Sequence, residues 1–124
     1  MTQNPLAAYR ETRVRTASPG QLVVMLYDEA VRQCDLALVP LERAGGPKPG
    51  EIEKVNKALG KVQDIVTELQ ASLDFDAGGE LASNLFALYV WFNSELLESN
   101  ISKDGKRIRA VRVLLDELRG AWTV

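Results

Sequence analysis

Ile52, Val55, Leu59, Val62, Val66, Leu69 and Leu73 follow one another at intervals of three and four residues, and most positions between them are polar or charged. That rhythm sets one narrow apolar stripe along an α-helix, because side chains three and four apart share a face. Ile108, Val111, Leu115, Leu118 and Trp122 repeat the pattern near the carboxy terminus. Two broader apolar segments also have helical spacing. One opens at Ser18-Pro19-Gly20-Gln21, where Ser18 suits a helix cap, Pro19 the first helical position and Gln21 the reciprocal arm of a capping box. It should run to about Ala44, before the breaker cluster Gly45-Gly46-Pro47-Lys48-Pro49-Gly50, with Pro40 kinking or shortening its end. The other spans about Glu80 to Ile101, between Asp74-Phe75-Asp76-Ala77-Gly78-Gly79 and the turn Lys103-Asp104-Gly105. No useful stretch alternates with period two, and no long repeat recurs. The prediction is an all-α protein: an antiparallel up-down four-helix bundle over residues 18–124, with residues 1–17 as an amino-terminal arm or short extra helix.

The four helices are not equally apolar. Leu85-Phe86-Ala87-Leu88-Tyr89-Val90-Trp91-Phe92 is an unbroken apolar run in the third, and Leu22-Val23-Val24-Met25-Leu26-Tyr27 is a shorter one in the first. At 3.6 residues per turn the longer run reaches every side of its helix. In a four-helix bundle each helix keeps an outer face, so such a run exposes apolar surface unless something covers it. Three covers fit the pattern: the amino-terminal arm, a second copy of the chain, or an outside partner. Tyr, Trp, Phe and Met are enriched at interface cores, which favours the partner. A groove between helices would accept an amphipathic or extended apolar segment.

Composition narrows the options. With 124 residues, 46% hydrophobic and 26% charged, the chain is one ordinary globular domain long. The formal net charge is −2, so the electrostatic footprint of a nucleic-acid binder is missing. The longest apolar run is far too short to insert into a membrane, and the amino terminus lacks the pattern of a signal peptide. Cys34 is the single cysteine and histidine is absent, which excludes internal disulfides and nearly all transition-metal sites. A cytoplasmic protein is expected, with no cofactor and no metal.

Catalysis is equally hard to assemble. Without histidine the usual general base and the Ser-His and Cys-His pairs are missing, as are the Glu-x-x-His pairs of di-iron bundles. Glu95 and Glu98 sit one turn apart but read as a solvated face. The segment from Asp74 to Glu80 fails as a calcium loop because its twelfth position is Leu85. There is no phosphate-binding glycine motif, and Cys34 reads as a small buried hydrophobe. No catalytic residue is assigned, and an enzyme is not expected.

Several short motifs, in order, carry a likeness. They are Asn4-Pro5-Leu6-Ala7-Ala8-Tyr9, then Thr16-Ala17-Ser18-Pro19-Gly20-Gln21-Leu22 leading into Met25-Leu26-Tyr27-Asp28. Gly79-Glu80-Leu81-Ala82, Asn84-Leu85 and Leu88-Tyr89 follow, then Asn93, Leu96 and Asn100, and finally Leu118-Arg119-Gly120-Ala121-Trp122. Together they resemble the flagellin-specific export chaperone family, FliS, over nearly the whole chain. Three positions depart from the family pattern: Leu6 stands for the usual Tyr, Glu29 for a Gly and Val90 for an Asp.

The resemblance implies an antiparallel helical bundle that binds the unfolded carboxy-terminal segment of flagellin in the cytoplasm. It would prevent premature polymerisation and deliver that cargo to the flagellar export gate. It also implies an arm near the groove that shifts on cargo binding. On this reading the flagellin contacts are Tyr9, Leu22, Met25, Leu26, Tyr27, Leu85, Leu88, Tyr89 and Phe92, each of which also suits a core. Asn84, Asn93 and Asn100 are candidates to satisfy cargo backbone groups or to cap locally. The alternatives are a helical adaptor for another export or regulatory protein, and a bundle that self-associates as a weak homodimer.

Overall fold

A computed structural model describes residues 19–122. These form four helices, α1 (Pro19–Glu42), α2 (Glu51–Ala71), α3 (Phe75–Ser102) and α4 (Gly105–Trp122), and no strand occurs among the described residues. Helix α1 packs on α2 and α4, and α3 packs on the same two, so the four close a ring around one core. Short connections make successive helices antiparallel, as expected. The expected arm, residues 1–17, lies outside the described residues, as does Ser18.

The core follows the three-and-four rhythm on every helix. On α2 it takes Val55, Leu59, Val62, Val66 and Leu69, joined by Ala58 and Ile65. On α4 it takes Ile108, Val111 and Leu115. On α3 the inward row is Ala82, Leu85, Tyr89, Phe92, Leu96 and Ser99. Each fully buried aliphatic or aromatic side chain contributes about 1.5–3 kcal/mol from leaving water. Two ends of the expected stripes differ. Ile52 is exposed on the first turn of α2, and Trp122 is exposed on the last turn of α4.

Local chemistry sets the boundaries. Pro40 lies inside α1 and is buried, and the helix continues past it to Glu42, two residues short of the expected Ala44. So near the carboxy-terminal end, its missing N–H removes only one backbone bond. Between α1 and α2, Gly50 caps the new helix in the left-handed region (φ 88°), which a side chain would resist. The Lys48 N–H donates to Glu51 Oε1 at 2.6 Å, and the Arg43 guanidinium closes on the same carboxylate. These donors, Arg43 foremost, pull the Glu51 carboxyl down to about 2.

Helix α3 begins before the expected Glu80. Asp74 caps it by accepting the Ala77 N–H at 3.0 Å, so the segment read as a breaker is a capped first turn. Gly79 then departs from helical geometry (φ 52°, ψ −124°), and the regular helix resumes near the expected start. At the other end Lys103 adopts the left-handed conformation, with its N–H donating to Ser99 O at 2.6 Å. Asp104 accepts the Lys106 N–H at 2.9 Å and opens α4.

Charge closes one seam of the ring. Asp28, Asp35 and Glu42 stand seven residues apart along α1 and meet Arg119, Arg112 and Arg109 of α4 at 3.0, 3.0 and 2.5 Å. The α2–α3 seam is polar but uncharged at mid-length, where Asn93 Nδ2 lies 3.4 Å from both Thr67 Oγ1 and Gln70 Oε1. The one cysteine is buried on α1, as expected, and burial pushes its thiol up to about 12.

Candidate functional site

Where α1 starts, α2 ends, α3 starts and α4 ends, the bundle leaves an open apolar cavity of about 310 Å³. Val23 supplies its α1 wall and Trp122 its α4 wall, while Leu69, Ser72, Leu73 and Asp74 come from the end of α2 and the following turn. Helix α3 contributes the longest wall, from Ala77 and Gly78 through Leu81, Ala82 and Leu85 to Tyr89. The break at Gly79 belongs to this wall. A Cβ on Gly78 would come within 2.8 Å of the Ala82 Cβ, so the first turn of α3 can fold back this closely only with glycine there.

One polar feature lies at the inner edge of this wall. The Tyr89 hydroxyl meets the Tyr27 hydroxyl at 2.5 Å, joining α3 to α1 across the bundle. Burial, together with the Tyr89 hydroxyl, raises the Tyr27 pKa well above the usual phenol range, and burial raises Tyr89 as well. Both stay neutral, and the cavity carries no charge at its base.

The residues proposed from sequence divide into three groups. Tyr9 lies outside the described residues. Leu26, Tyr27, Tyr89 and Phe92 are core, and in this form they present almost no surface to a partner. Leu22, Met25, Leu85 and Leu88 are half-buried, with Leu85 and Leu88 packed against the core. The cavity brings together Leu85 and Tyr89 of the nine, with Val23 in place of Leu22. Among the asparagines, Asn93 bridges to α2, Asn100 accepts from Lys103 Nζ at 3.0 Å, and Asn84 is exposed.

Sequence reasoning missed Val23, Leu81 and Trp122 as cavity walls. It also recognised the excess of apolar residues on α3 without separating the two faces. The exposed members are Phe75, Leu81, Phe86, Val90, Trp91, Leu97 and Ile101, whereas α1 exposes only Leu36 and Val39. Continuing the three-and-four rhythm backward from Leu96 through Phe92, Tyr89, Leu85 and Ala82 would have separated them. Of the departures from the family pattern, Val90 is exposed, and Glu29 accepts from Arg32 and Gln33.

What the arrangement can do is bind. Among the described residues no cluster of acidic or thiol side chains is placed to hold a metal ion. No described helix is long and apolar enough to cross a membrane. A sequence model of the family described as "Flagellar protein FliS" matches residues 2–124. The chain belongs to the FliS family. Among relatives, it is 32% identical over 120 residues to the flagellar secretion chaperone FliS of Bacillus subtilis, covering 97% of this chain and 84% of the relative. It is 36% identical over 113 residues to the Salmonella typhimurium protein of the same name, covering 90% and 79%. The flagellar secretion chaperone FliSB of Pseudomonas aeruginosa is 33% identical over 112 residues, with 90% and 84% covered. In this FliS-family chain Tyr89 lines the end cavity, while its neighbour Leu88 packs against the core outside the cavity lining.

Proposed function

We propose that this FliS-family chain is a flagellar secretion chaperone acting in the cytoplasm. It holds the unfolded carboxy-terminal segment of flagellin, keeps it from polymerising early and passes it to the flagellar export gate. The observation that carries the reading is the mainly apolar cavity at the end of the bundle, with Asp74 as its one charged lining residue, in a chain of this family. Cargo side chains enter beside Val23, Leu81, Leu85 and Trp122, and the segment continues over the half-buried Leu22 and Met25. Tyr9 and Leu88 belong to the same proposed surface. Leu26, Tyr27 and Phe92 support it from beneath and become direct contacts only if the helices part, whereas Tyr89 forms part of the cavity wall.

No bond is made or broken. Binding draws on burial of apolar area at about 25 cal/mol per Å², opposed by roughly 2–5 kcal/mol for ordering the cargo chain. The test is calorimetry with the carboxy-terminal peptide of the cognate flagellin. Saturable binding is expected, with a negative heat-capacity change, and Leu81→Asp should abolish it while thermal unfolding stays unchanged. A folded chain that ignores the peptide would favour the adaptor reading, with another export protein as ligand.

A further inference from the structure

Charge is divided unevenly between the two ends of the bundle. Cutting each helix at its midpoint separates a cavity half, residues 19–30, 61–88 and 114–122, from a loop half, residues 31–60 and 89–113. The cavity half holds nine carboxylates against two cations, Lys61 and Arg119, a formal balance of −7. The loop half holds ten cations against seven carboxylates, a formal +3. The chain as a whole carries only −2, so the acidity is a property of the cavity end. Asp74 lines the cavity itself, and Asp76 and Glu80 stand next to the lining residues Ala77 and Leu81. All three are exposed, and among the described residues none of them is held in an ion pair. Asp74 uses Oδ1 to accept the Ala77 N–H and leaves Oδ2 free.

Helix stability accounts for part of this acidity only. Carboxylates on the first turns of α3 suit the positive end of its dipole, as Asp74 and Asp76 do. Glu68 on α2 and Asp116 and Glu117 on α4 lie toward carboxy-terminal ends, where the dipole disfavours negative charge. Like charges gathered at one end also repel one another. Their common effect is on whatever approaches the cavity. Apolar walls of low dielectric concentrate the field of nearby carboxylates and raise the local concentration of cations. A segment bearing Asp or Glu is repelled from this mouth. A segment with Lys or Arg beside its apolar residues is drawn to it, and the long aliphatic stem of such a side chain can lie along Leu73 or Leu81 with its head at Asp74.

We propose that the cavity selects its ligand by charge as well as by apolarity: the bound segment presents a lysine or arginine beside its apolar anchor. Asp74 is the specificity-determining residue that meets this cation, and Asp76 and Glu80 draw it in from solvent. That the segment belongs to flagellin rests on the function proposed above; the charge rule itself belongs to the cavity. Because the three carboxylates are exposed, each single contact is modest. Asp74→Asn should weaken binding about two- to fivefold at low salt. Neutralising all three should reach about tenfold, most of it in the association rate.

Stopped-flow fluorescence of the full chain tests it. The sequence has two tryptophans, so Trp91→Phe leaves Trp122, on the cavity wall, as the sole reporter of entry. Two kinds of ligand are used, the carboxy-terminal peptide of the cognate flagellin and a pair of synthetic peptides. The pair share their leucine positions, with lysine between them in one and glutamate in the other. The lysine peptide should bind about tenfold or more tightly than the glutamate peptide at an ionic strength of about 0.02 M, and the gap should close near 0.5 M. Asp74→Asn keeps an oxygen for the Ala77 cap, so it should weaken the lysine and flagellin peptides at low salt and leave thermal unfolding unchanged. Glu53→Gln, an exposed carboxylate at the far end of α2, should change neither. Equal binding of the lysine and glutamate peptides overturns the proposal. So does flagellin binding that ignores both salt and the three substitutions, and that result leaves the cargo reading standing. Selective binding of the lysine peptide by a chain that ignores the flagellin peptide supports the charge rule and removes the cargo reading instead.

Discussion

Removing either hydroxyl of the Tyr27–Tyr89 pair should reveal how the cavity is tied to the core. The two oxygens lie 2.5 Å apart, and the pair is buried. Tyr89→Phe leaves the buried Tyr27 hydroxyl without the hydroxyl it pairs with. A buried hydroxyl so abandoned costs about 1–3 kcal/mol. Tyr27→Phe strands the Tyr89 hydroxyl instead, but Tyr89 lines the cavity, which at about 310 Å³ has room for a water molecule. Its cost should be smaller, about 0.5–1.5 kcal/mol, because water replaces the lost partner. The double Phe variant keeps both ring shapes and leaves neither hydroxyl behind to be stranded, so it should cost no more than about 1 kcal/mol.

Urea unfolding followed by circular dichroism, on the wild type and the three variants, closes a double-mutant cycle. The double variant should cost less than the sum of the two singles by about 1–2 kcal/mol. Simple additivity would refute the argument, since it would mean the two hydroxyls are not each other's partner. A Tyr27→Phe cost exceeding that of Tyr89→Phe would refute the role given to the cavity.

Three further outcomes can be stated from the structure. Gly60 lies in mid-α2 with open space where a Cβ would go, so Gly60→Ala should stabilise by about 0.5–1 kcal/mol, whereas Gly79→Ala, forced to keep φ 52°, should destabilise by about 1–3 kcal/mol in the same urea assay. In alkali, Cys34 and Tyr27 each have a folded-state pKa above the unfolded value, so their stabilisation is full below the unfolded pKa and is lost as pH rises toward the folded one. For Cys34 that window opens near 9.0 and closes near 12, and the urea midpoint should fall across it by about 1.4 kcal/mol of stability per pH unit, with Cys34→Ala flattening the first part of the fall. The three α1–α4 ion pairs are partly exposed, so replacing Asp28, Asp35 and Glu42 by their amides should cost no more than about 1 kcal/mol per pair, and less at high salt; a loss several times larger would mean the ladder sets the helix register.

Most of the fold was legible because a three-and-four rhythm both makes a helix and selects its buried face. The Gly45–Gly50 connection and the Lys103-Asp104 turn needed only their local chemistry. The first turn of α3 was not legible, because Asp74 can end one helix or cap the next with equal local logic, and only the accepted Ala77 N–H decides. Site residues were harder for a different reason. Within Leu85–Phe92 every side chain is apolar or small, so composition gives no phase. The phase is set by Leu96 and Ser99 further along, and it turns Tyr89 and Phe92 inward and Phe86 and Val90 outward. The end cavity depends on four helix ends meeting, a long-range fact that no single segment carries.

Core and candidate site overlap at few positions, and that limits how the chaperone surface can be tested. Leu69, Ala82 and Tyr89 line the cavity and also belong to the buried set, so changing them alters stability and binding together. Leu81 and Trp122 line the same cavity but are exposed, so a loss of binding there without a loss of stability would be a property of the surface alone. The α1–α4 seam is occupied by ion pairs, and charging it further would disturb the bundle before it disturbed a partner. Helix α3 therefore closes the bundle with its inward row and keeps Leu81 on the surface at the cavity mouth, so a charge at Leu81 separates loss of binding from loss of fold.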